Sequence, residues 1–275
     1  MNNIGIIGQG YVGSALKSVF KEYFKIYTFD KFHKSKSNCD SIDSLSRNCD
    51  MIFVCVPTPM KKDGSCFIGI IEDVLSEINV LKKNMIVVIK STVPPGTTEK
   101  LSKNFSNLDL VFNPEFLTEA NYIEDFKNQN RIILGGKSQS VGLVKEVYQR
   151  IFPNIPYLMM NSKEAEFIKY FINCYLATKV TYANEMRHLC NNLNLDYDRI
   201  LDFACYDDRL GKSHWQVPGP DGELGFGGHC LPKDLSAIIS QFKTLGLLES
   251  VNEVNLKIRN NKDWEKMDGR AVIDE

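Results

Sequence analysis

Ile4-Gly5-Ile6-Ile7-Gly8-Gln9-Gly10-Tyr11-Val12-Gly13 stands near the start of the chain, and its reading decides the fold. A short apolar strand, Ile4–Ile7, runs directly into Gly-x-Gly-x-x-Gly, and an apolar, helix-like segment follows. A second strand, Ile26–Phe29, ends on Asp30, 17 positions beyond Gly13. Strand, glycine turn, helix and a later acidic residue together form the context of a dinucleotide fold. In that reading Gly8 makes the tight turn, Gly10 admits a pyrophosphate to the backbone, and Gly13 lets helix and strand pack. Tyr11 and Val12 sit in the turn itself and join the cofactor-binding set. Asp30 takes the adenosine ribose hydroxyls and repels a 2′-phosphate, which favours NAD over NADP. Lys31 beside it weakens that preference slightly.

Outward from this stretch, strands and helices keep alternating. Met51–Val56 is a continuous apolar run of the kind a parallel sheet buries on both faces. It ends at Pro57-Thr58-Pro59, an extended exit at the edge where such a sheet meets its ligand. Met85–Ile89 is the next strand, followed by Ser91-Thr92-Val-Pro-Pro-Gly-Thr97. Thr58 and Thr92 therefore fall at the expected cofactor crevice, although turns and caps are the commoner use of threonine. Leu110–Phe112 leads into Asn113-Pro-Glu115-Phe-Leu-Thr-Glu119, and Arg131–Leu134 and Ile155–Leu158 complete the set. The expected fold class is α/β, a Rossmann-type doubly wound parallel sheet of six or more strands over residues 1–160.

After Asn161 the period changes. Asn161 with Glu164 reads as a capping box, and no Gly or Pro appears until Gly211. One helix over about residues 162–191, some 45 Å long, is predicted. Glu166, Lys169 and Asn173 share one face of it. They suit a solvated stripe, or a cleft in which Lys169 stabilises a developing oxyanion. Further on, Gly225-Phe-Gly227-Gly228-His-Cys230-Leu-Pro-Lys233-Asp234 places a cysteine just ahead of a predicted helix. Pro232 suits that helix's first position and Gly246 its C-terminal stop. A helix N-terminus favours thiolate, so Cys230 with Asp234 reads as a nucleophile and acid/base pair. The same letters also suit a buried structural cysteine before a capped helix. The expected organisation adds an α-helical central domain over residues 161–255 and a polar tail over 256–275, with Met267–Glu275 frayed.

Composition narrows the classes. Lys and Arg number 33 against 34 Asp and Glu, with no basic block, which argues against a nucleic-acid surface. The eight cysteines are scattered without a Cys-x-x-Cys pair, so neither a metal site nor a disulfide framework is expected. No apolar run reaches the roughly 20 residues that span a bilayer, and the N-terminus lacks a basic leader. A reducing cytoplasm fits best.

Taken together, the motifs resemble the UDP-glucose/GDP-mannose dehydrogenase family. The residues that carry the resemblance are Gly8–Gly13, Val56–Pro59, Lys90–Gly96, Phe112–Leu117, Ala165–Lys169 through Asn173, Ala177–Lys179, Asn184-Glu185 and Gly225–Asp234. The resemblance implies a four-electron oxidation of a nucleotide-linked sugar, most simply UDP-glucose, by two NAD+ in succession. It implies Cys230 as the nucleophile, passing through a thiohemiacetal and a thioester. Asp234 and a water ordered with Thr92 supply acid/base chemistry, Lys169 and Asn173 hold the oxyanion, and Glu119 assists hydrolysis. By position, Glu115, Phe116, Leu117, Lys169, Asn173 and Gly227 fall to the substrate. Pro57, Thr58, Thr92, Glu119 and Lys233 fall to the cofactor, and no metal is implied. The long helix carries Tyr175, Leu176, Val180, Tyr182, Ala183 and Met186, more apolar surface than one small domain needs to cover, so a homodimer through it is predicted, consistent with that family. The chain ends before the further C-terminal domain that family members usually carry. A non-catalytic NAD-binding partner subunit and a two-electron β-hydroxyacid dehydrogenase are the rival readings.

Overall fold

Each apolar run of the first half becomes a strand in the computed structural model, which describes residues 1–81 and 84–274. In chain order these are β1 Asn3–Ile7, α1 Tyr11–Phe20, β2 Lys25–Phe29, α2 Ile42–Asn48, β3 Met51–Val54, α3 Gly69–Asn79 and β4 Met85–Ile89. They continue with α4 Thr97–Asn104, β5 Leu108–Phe112, α5 Tyr122–Lys127, β6 Ile132–Gly136, α6 Ser138–Gln149 and β7 Tyr157–Met160. The seven strands form one sheet in the order β2-β1-β3-β4-β5-β6-β7.

Period-two alternation sorts the strand side chains between two cores. Ile52 and Val54 pack with Leu45, Ile71 and Leu75 on one face. Met51 and Phe53 pack with Leu16, Phe20 and Tyr148 on the other. β3 and β4 are buried at every position because helices cover both faces. The chain leaves β1 for β2 on one side and returns to β3 on the other, so the order reverses at the carboxyl ends of β1 and β3. That is where an open α/β sheet leaves a crevice for a ligand.

Two expectations about the sheet are corrected. It is not wholly parallel, because β6 pairs antiparallel with β5 through Val111↔Gly136 and Phe112↔Gly135. A parallel return needs a crossover to the opposite edge. The connection carries only the six-residue α5 and delivers β6 from the edge at which β5 ended. The last strand also lies later than Ile155–Leu158, at Tyr157–Met160, in parallel register with β6.

The chain divides into two units, Met1–Thr58 with Phe67–Lys169 and Pro59–Cys66 with Tyr170–Glu275. The helical elements are α7 Ser162–Asn192, α8 Tyr197–Ala204, α9 Cys230–Gln241 and α10 Gly246–Ile258. α7 matches the long helix read from sequence and begins with the Asn161–Glu164 box, each side chain accepting the other residue's N–H. The core of the second unit gathers Tyr170, Cys174, Phe226, Leu235, Ile238 and Val251.

Three local readings fail here. Cys230 is itself the first residue of α9, which places Pro232 two residues inside rather than at the start. The helix ends at Gln241, and Gly246 opens α10 instead of stopping α9. The tail through residue 274 is held, not frayed; Glu275 lies outside the described residues. Met60 donates to the Ala271 carbonyl at 2.8 Å and accepts from the Ile273 N–H at 2.9 Å, and Trp264 and Ala271 are buried. The segment 59–66 gives these residues the partner that their own stretch lacks. Among the described residues, no helix is long and apolar enough to cross a membrane.

Candidate active site

Within the first unit, the turn after β1 has the shape a dinucleotide needs. A Cβ on Gly8 would stand 2.6 Å from the Cys55 carbonyl oxygen, and one on Gly13 would stand 1.9 Å from the Gly8 carbonyl oxygen. Both positions must therefore lack a side chain. Gly10 faces open space and is the N-cap of α1, with no side chain capping the helix. The positive end of a ten-residue helix, with room in front of Gly10, suits a pyrophosphate. The site thus fits NAD by its own geometry. The Tyr11 and Tyr122 rings lie 5.2 Å apart at a tilt of 60°, and Val12 is half-buried.

Asp30 follows β2 and is buried. Its carboxylate accepts the Gln9 N–H at 2.6 Å, the Phe32 N–H at 2.9 Å and the His33 N–H at 2.7 Å. Burial alone would push its pKa up, but these N–H groups and the His33 ring hold it below the usual carboxylate range. An ionised Asp30 that grips the Gly8-Gln9 turn ties the second strand to the glycine loop. Lys31 is exposed, with its ammonium 6.0 Å from the Phe32 ring. Thr58 is buried and donates to the Thr92 carbonyl at 2.7 Å, while Pro57 and Thr92 are half-buried beside it. Two strand exits are thereby joined at the carboxyl edge.

Glu166 and Lys169, read as neighbours on one helix face, serve different partners. Glu166 is fully buried and accepts the Gly96 and Thr98 N–H groups at 2.5 and 2.7 Å, which caps α4. Lys169 is 4% exposed and donates to the Glu115 carbonyl at 2.7 Å, with the Glu115 carboxylate at 3.4 Å and the Phe116 ring at 5.2 Å. Leu117 donates its N–H back to the Glu115 carboxylate at 2.7 Å. Glu115, Phe116 and Leu117 also line a cavity of about 320 Å³ with Lys90 and Arg131, near the lower end of small-ligand sites. Glu119 lies half-buried in the same connection.

Sequence reasoning named Lys90 only as part of a motif. It is 3% exposed and donates to both the carbonyl and the side-chain oxygen of Asn113, at 3.3 and 2.9 Å. Tyr148 donates its hydroxyl to the same Asn113 oxygen at 2.6 Å, and Asn113 donates to the Ile133 carbonyl at 2.8 Å. Burial lowers the Lys90 ammonium to about 8. This network fixes the start of the Asn113–Leu117 segment. The signal for it was a lysine at the end of a strand buried on both faces.

Within the second unit, Asp234 is 1% exposed, one turn into α9. Asn173 donates to one of its oxygens and Lys233 to the other, each at 2.6 Å. Burial works against the Lys233 charge, yet the Asp234 carboxylate more than offsets it and raises the ammonium above the ordinary lysine range. Cys230 is half-buried, with Sγ 3.5 Å from the nearer ring nitrogen of His229. The structure brings Asn173, Lys233 and Asp234 into direct contact. Lys169 lies one turn earlier on α7 and belongs to the first unit.

The glycine loop ahead of Cys230 is clamped by residues that the sequence reading assigned to a featureless tail or its margin. Asn255 accepts the Phe226 N–H at 2.8 Å and donates to the Phe226 carbonyl at 3.0 Å. Arg259, 3% exposed, reaches Asp221 at 2.5 Å and Asp263 at 3.1 Å, and Asp263 accepts the Gly228 N–H at 3.0 Å. A Cβ on Gly227 would lie 2.0 Å from the Arg259 guanidinium, and one on Gly225, at φ +71°, would lie 2.2 Å from Asn255. Gly225, and Gly227, which the resemblance gave to the substrate, have these two side chains packed against them. No sequence signal singled out Asn255 or Arg259 among so many polar neighbours.

Comparisons with known proteins agree with this architecture. Residues 31–152 match the NAD binding domain of the UDP-glucose/GDP-mannose dehydrogenase family, and residues 163–257 match its central domain. The glycine turn precedes the first matched range. The chain is 33% identical to UDP-glucose 6-dehydrogenase TuaD of Bacillus subtilis, with 94% of this chain and 64% of that enzyme covered. It is 30% identical to UDP-glucose 6-dehydrogenase of Rickettsia bellii, covering 95% and 67%. The structure of a UDP-glucose dehydrogenase from Pyrobaculum islandicum superposes with a TM-score of 0.83 at 27% identity, covering 94% and 68%. The chain spans a little under two thirds of the length of most of the curated relatives it matches.

Proposed function

Because this chain belongs to the UDP-glucose/GDP-mannose dehydrogenase family, we propose that it oxidises the C6 alcohol of a nucleotide-linked sugar to the carboxylate, UDP-glucose being the first substrate to test. NAD+ supplies the hydride acceptor for both oxidations. The observation that carries the reading is the first turn of α9, where Cys230 precedes an Asp234 buried between Asn173 and Lys233. Asp234 is positioned by two donors and retains lone pairs with which to accept a proton from the alcohol or from water. Cys230 adds to the aldehyde, and the second oxidation leaves a thioester that water opens, returning the thiol and releasing the acid. Lys169 and Asn173 are assigned, by their match to the family's motif, to hold an oxygen that becomes negative, an ammonium and an amide N–H being suited to that task. Thr92 and Glu119 are assigned to ordering and activating water. A reducing compartment keeps a thiol nucleophile in its active form, and a cytoplasmic location is part of the proposal.

The proposed assembly is a homodimer through α7. Phe171, Tyr175, Tyr182 and Leu189 are 65%, 56%, 50% and 47% exposed along this helix, a run of large apolar side chains that calls for a cover. Of the residues first expected there, Ala183 is fully buried against Trp215 and Tyr197, so it cannot contribute.

A non-catalytic NAD-binding partner subunit is the second reading, since the fit of the glycine turn to NAD holds with or without turnover in the second unit. A β-hydroxyacid dehydrogenase has no use for Cys230 before a buried carboxylate. Purified chain mixed with NAD+ and UDP-glucose, then with a panel of nucleotide sugars, should form NADH at 340 nm in two equivalents per acid. Absence of NADH with every sugar would leave the partner subunit as the better account.

A further inference from the structure

Asp30 is 8% exposed, and its carboxylate is already fully engaged. One oxygen, Oδ2, accepts the Gln9 N–H at 2.6 Å. The other, Oδ1, faces the Phe32 N–H at 2.9 Å, the His33 N–H at 2.7 Å and Nδ1 of the His33 ring at 3.2 Å. An ionised carboxyl only accepts, so Nδ1 carries the proton in this contact. Such a group offers about four lone-pair sites, and four donors fill them. The two hydroxyls of a ribose need places among those sites, so at least one donor must yield. We propose that the yielding donor is His33, and that its ring, by competing with the ribose for Asp30, sets the affinity of the adenosine end of the dinucleotide site. This role rests on Asp30 being the ribose acceptor.

The other three donors are backbone N–H groups, fixed by the turns they belong to. Gln9 sits in the glycine turn, where the Gly8 N–H is tied to the Phe29 carbonyl at 2.9 Å. Phe32 and His33 close a turn back onto Asp30, whose own N–H donates to the Ser37 hydroxyl at 2.8 Å. The imidazole differs. Its side chain is 57% exposed, and a χ1 rotation withdraws it into water with the backbone unchanged. His33 is the N-cap residue of the 3₁₀ turn Lys34–Lys36, but its side chain makes no capping hydrogen bond that would resist the swing. Nearby ammonium groups are turned elsewhere. Lys36 donates to the Gln9 carbonyl and Lys17 to the Lys36 carbonyl, each at 3.1 Å, and Lys31 lies 6.0 Å from the Phe32 ring.

Asp30 therefore takes the ribose only as its imidazole partner leaves, and the bond given up is subtracted from the affinity. Removing the ring removes that cost. It does nothing for a 2′-phosphate, which the bared carboxylate repels. His33 thus lowers affinity for the hydroxyl-bearing cofactor without relaxing the choice against NADP.

ADP and 2′,3′-dideoxy-ADP share base and phosphates and differ in the two hydroxyls, so titrating both by calorimetry reads the competition without turnover. ADP should bind His33→Ala about fivefold more tightly than wild type, while the dideoxy analogue binds the two proteins alike. In wild type, the nitrogen NMR signal of His33 Nδ1 should move toward that of a solvated ring when ADP is added and hold when the analogue is added, a reading that needs no variant to fold. An ADP affinity unchanged in folded His33→Ala, an equal gain for both ligands, or a ring signal indifferent to ADP overturns the role of His33. If ADP still outbinds its analogue in that case, Asp30 keeps the ribose and His33 alone loses its part. Equal binding of the two ligands by both proteins takes the ribose from Asp30 itself.

Discussion

Cys230 and Lys169 carry the sharpest expectations at the scale of single residues. Cys230→Ser should abolish acid formation while leaving the fold and NAD affinity intact, because the change is nearly isosteric and an ester cannot readily replace the thioester. A serine variant that still produces the sugar acid at near wild-type rate would end the covalent mechanism. Lys169→Met should cost on the order of 10²–10³ in kcat if the ammonium stabilises an oxyanion. It would also release the Glu115 carbonyl, so kcat and KM must be measured separately. Lys90 gives a prediction of a different kind. Its folded-state value of about 8 lies below the ordinary 10.5, so between those values the unfolded chain binds the proton that the fold has lost. Stability from this group therefore rises with pH across that window, by on the order of 3 kcal/mol in total. Urea melts at pH 8 and pH 10.5 should show that rise in wild type relative to Lys90→Met. Equal pH slopes in the two proteins would contradict it.

At the scale of elements, three pieces of chain bear weight. The β1–α1 turn and Asp30 should make NAD bind well ahead of NADP, and Asp30→Ala should narrow that gap while loosening the Gln9 turn. Isothermal titration with both cofactors measures it; equal or tighter NADP binding to wild type would remove Asp30 from this role. The exposed stripe of α7 should hold two copies together, so Tyr175→Arg should shift the mass in light scattering from dimer toward monomer. A monomeric wild type at micromolar concentration would refute the interface. The step from α10 to the 3₁₀ turn Asp263–Lys266 clamps the loop ahead of Cys230. Arg259→Ala should destabilise the chain by about 2–3 kcal/mol. That falls below the value for a fully buried pair, because Asp221 and Asp263 keep 46% and 27% of their side chains exposed. Thermal melting reads the loss, and Cys230 alkylation reads the loosened loop. A variant that melts like wild type would show that the clamp is dispensable.

At the scale of the whole molecule, what could be read in advance was what repeats locally. The glycine turn after Ile4–Ile7, the strands of the sheet and the 31-residue α7 are each written in neighbouring residues. Periodicity, a capping box and glycines that tolerate no Cβ act over a few positions, so a linear reading finds them. The start of α9 was misjudged by two residues because Pro232 is also tolerated inside the first turn, where no intrahelical N–H is lost. The antiparallel β6 was hidden because an apolar run has no direction; only the edge at which the 113–131 connection delivers it sets the pairing. Residues 256–274 looked like a tail since their partners, Met60, Asp221 and the Gly225–Gly228 loop, lie about 30 to 210 positions away. The sequence by itself determined the dinucleotide fold, the long helix and the residue types available for chemistry, through local geometry. Only the tertiary structure decided that Lys90 is buried on Asn113, that Lys233 neutralises Asp234 and that Arg259 clamps the loop ahead of Cys230, since burial and charge pairing depend on residues brought together from distant parts of the chain.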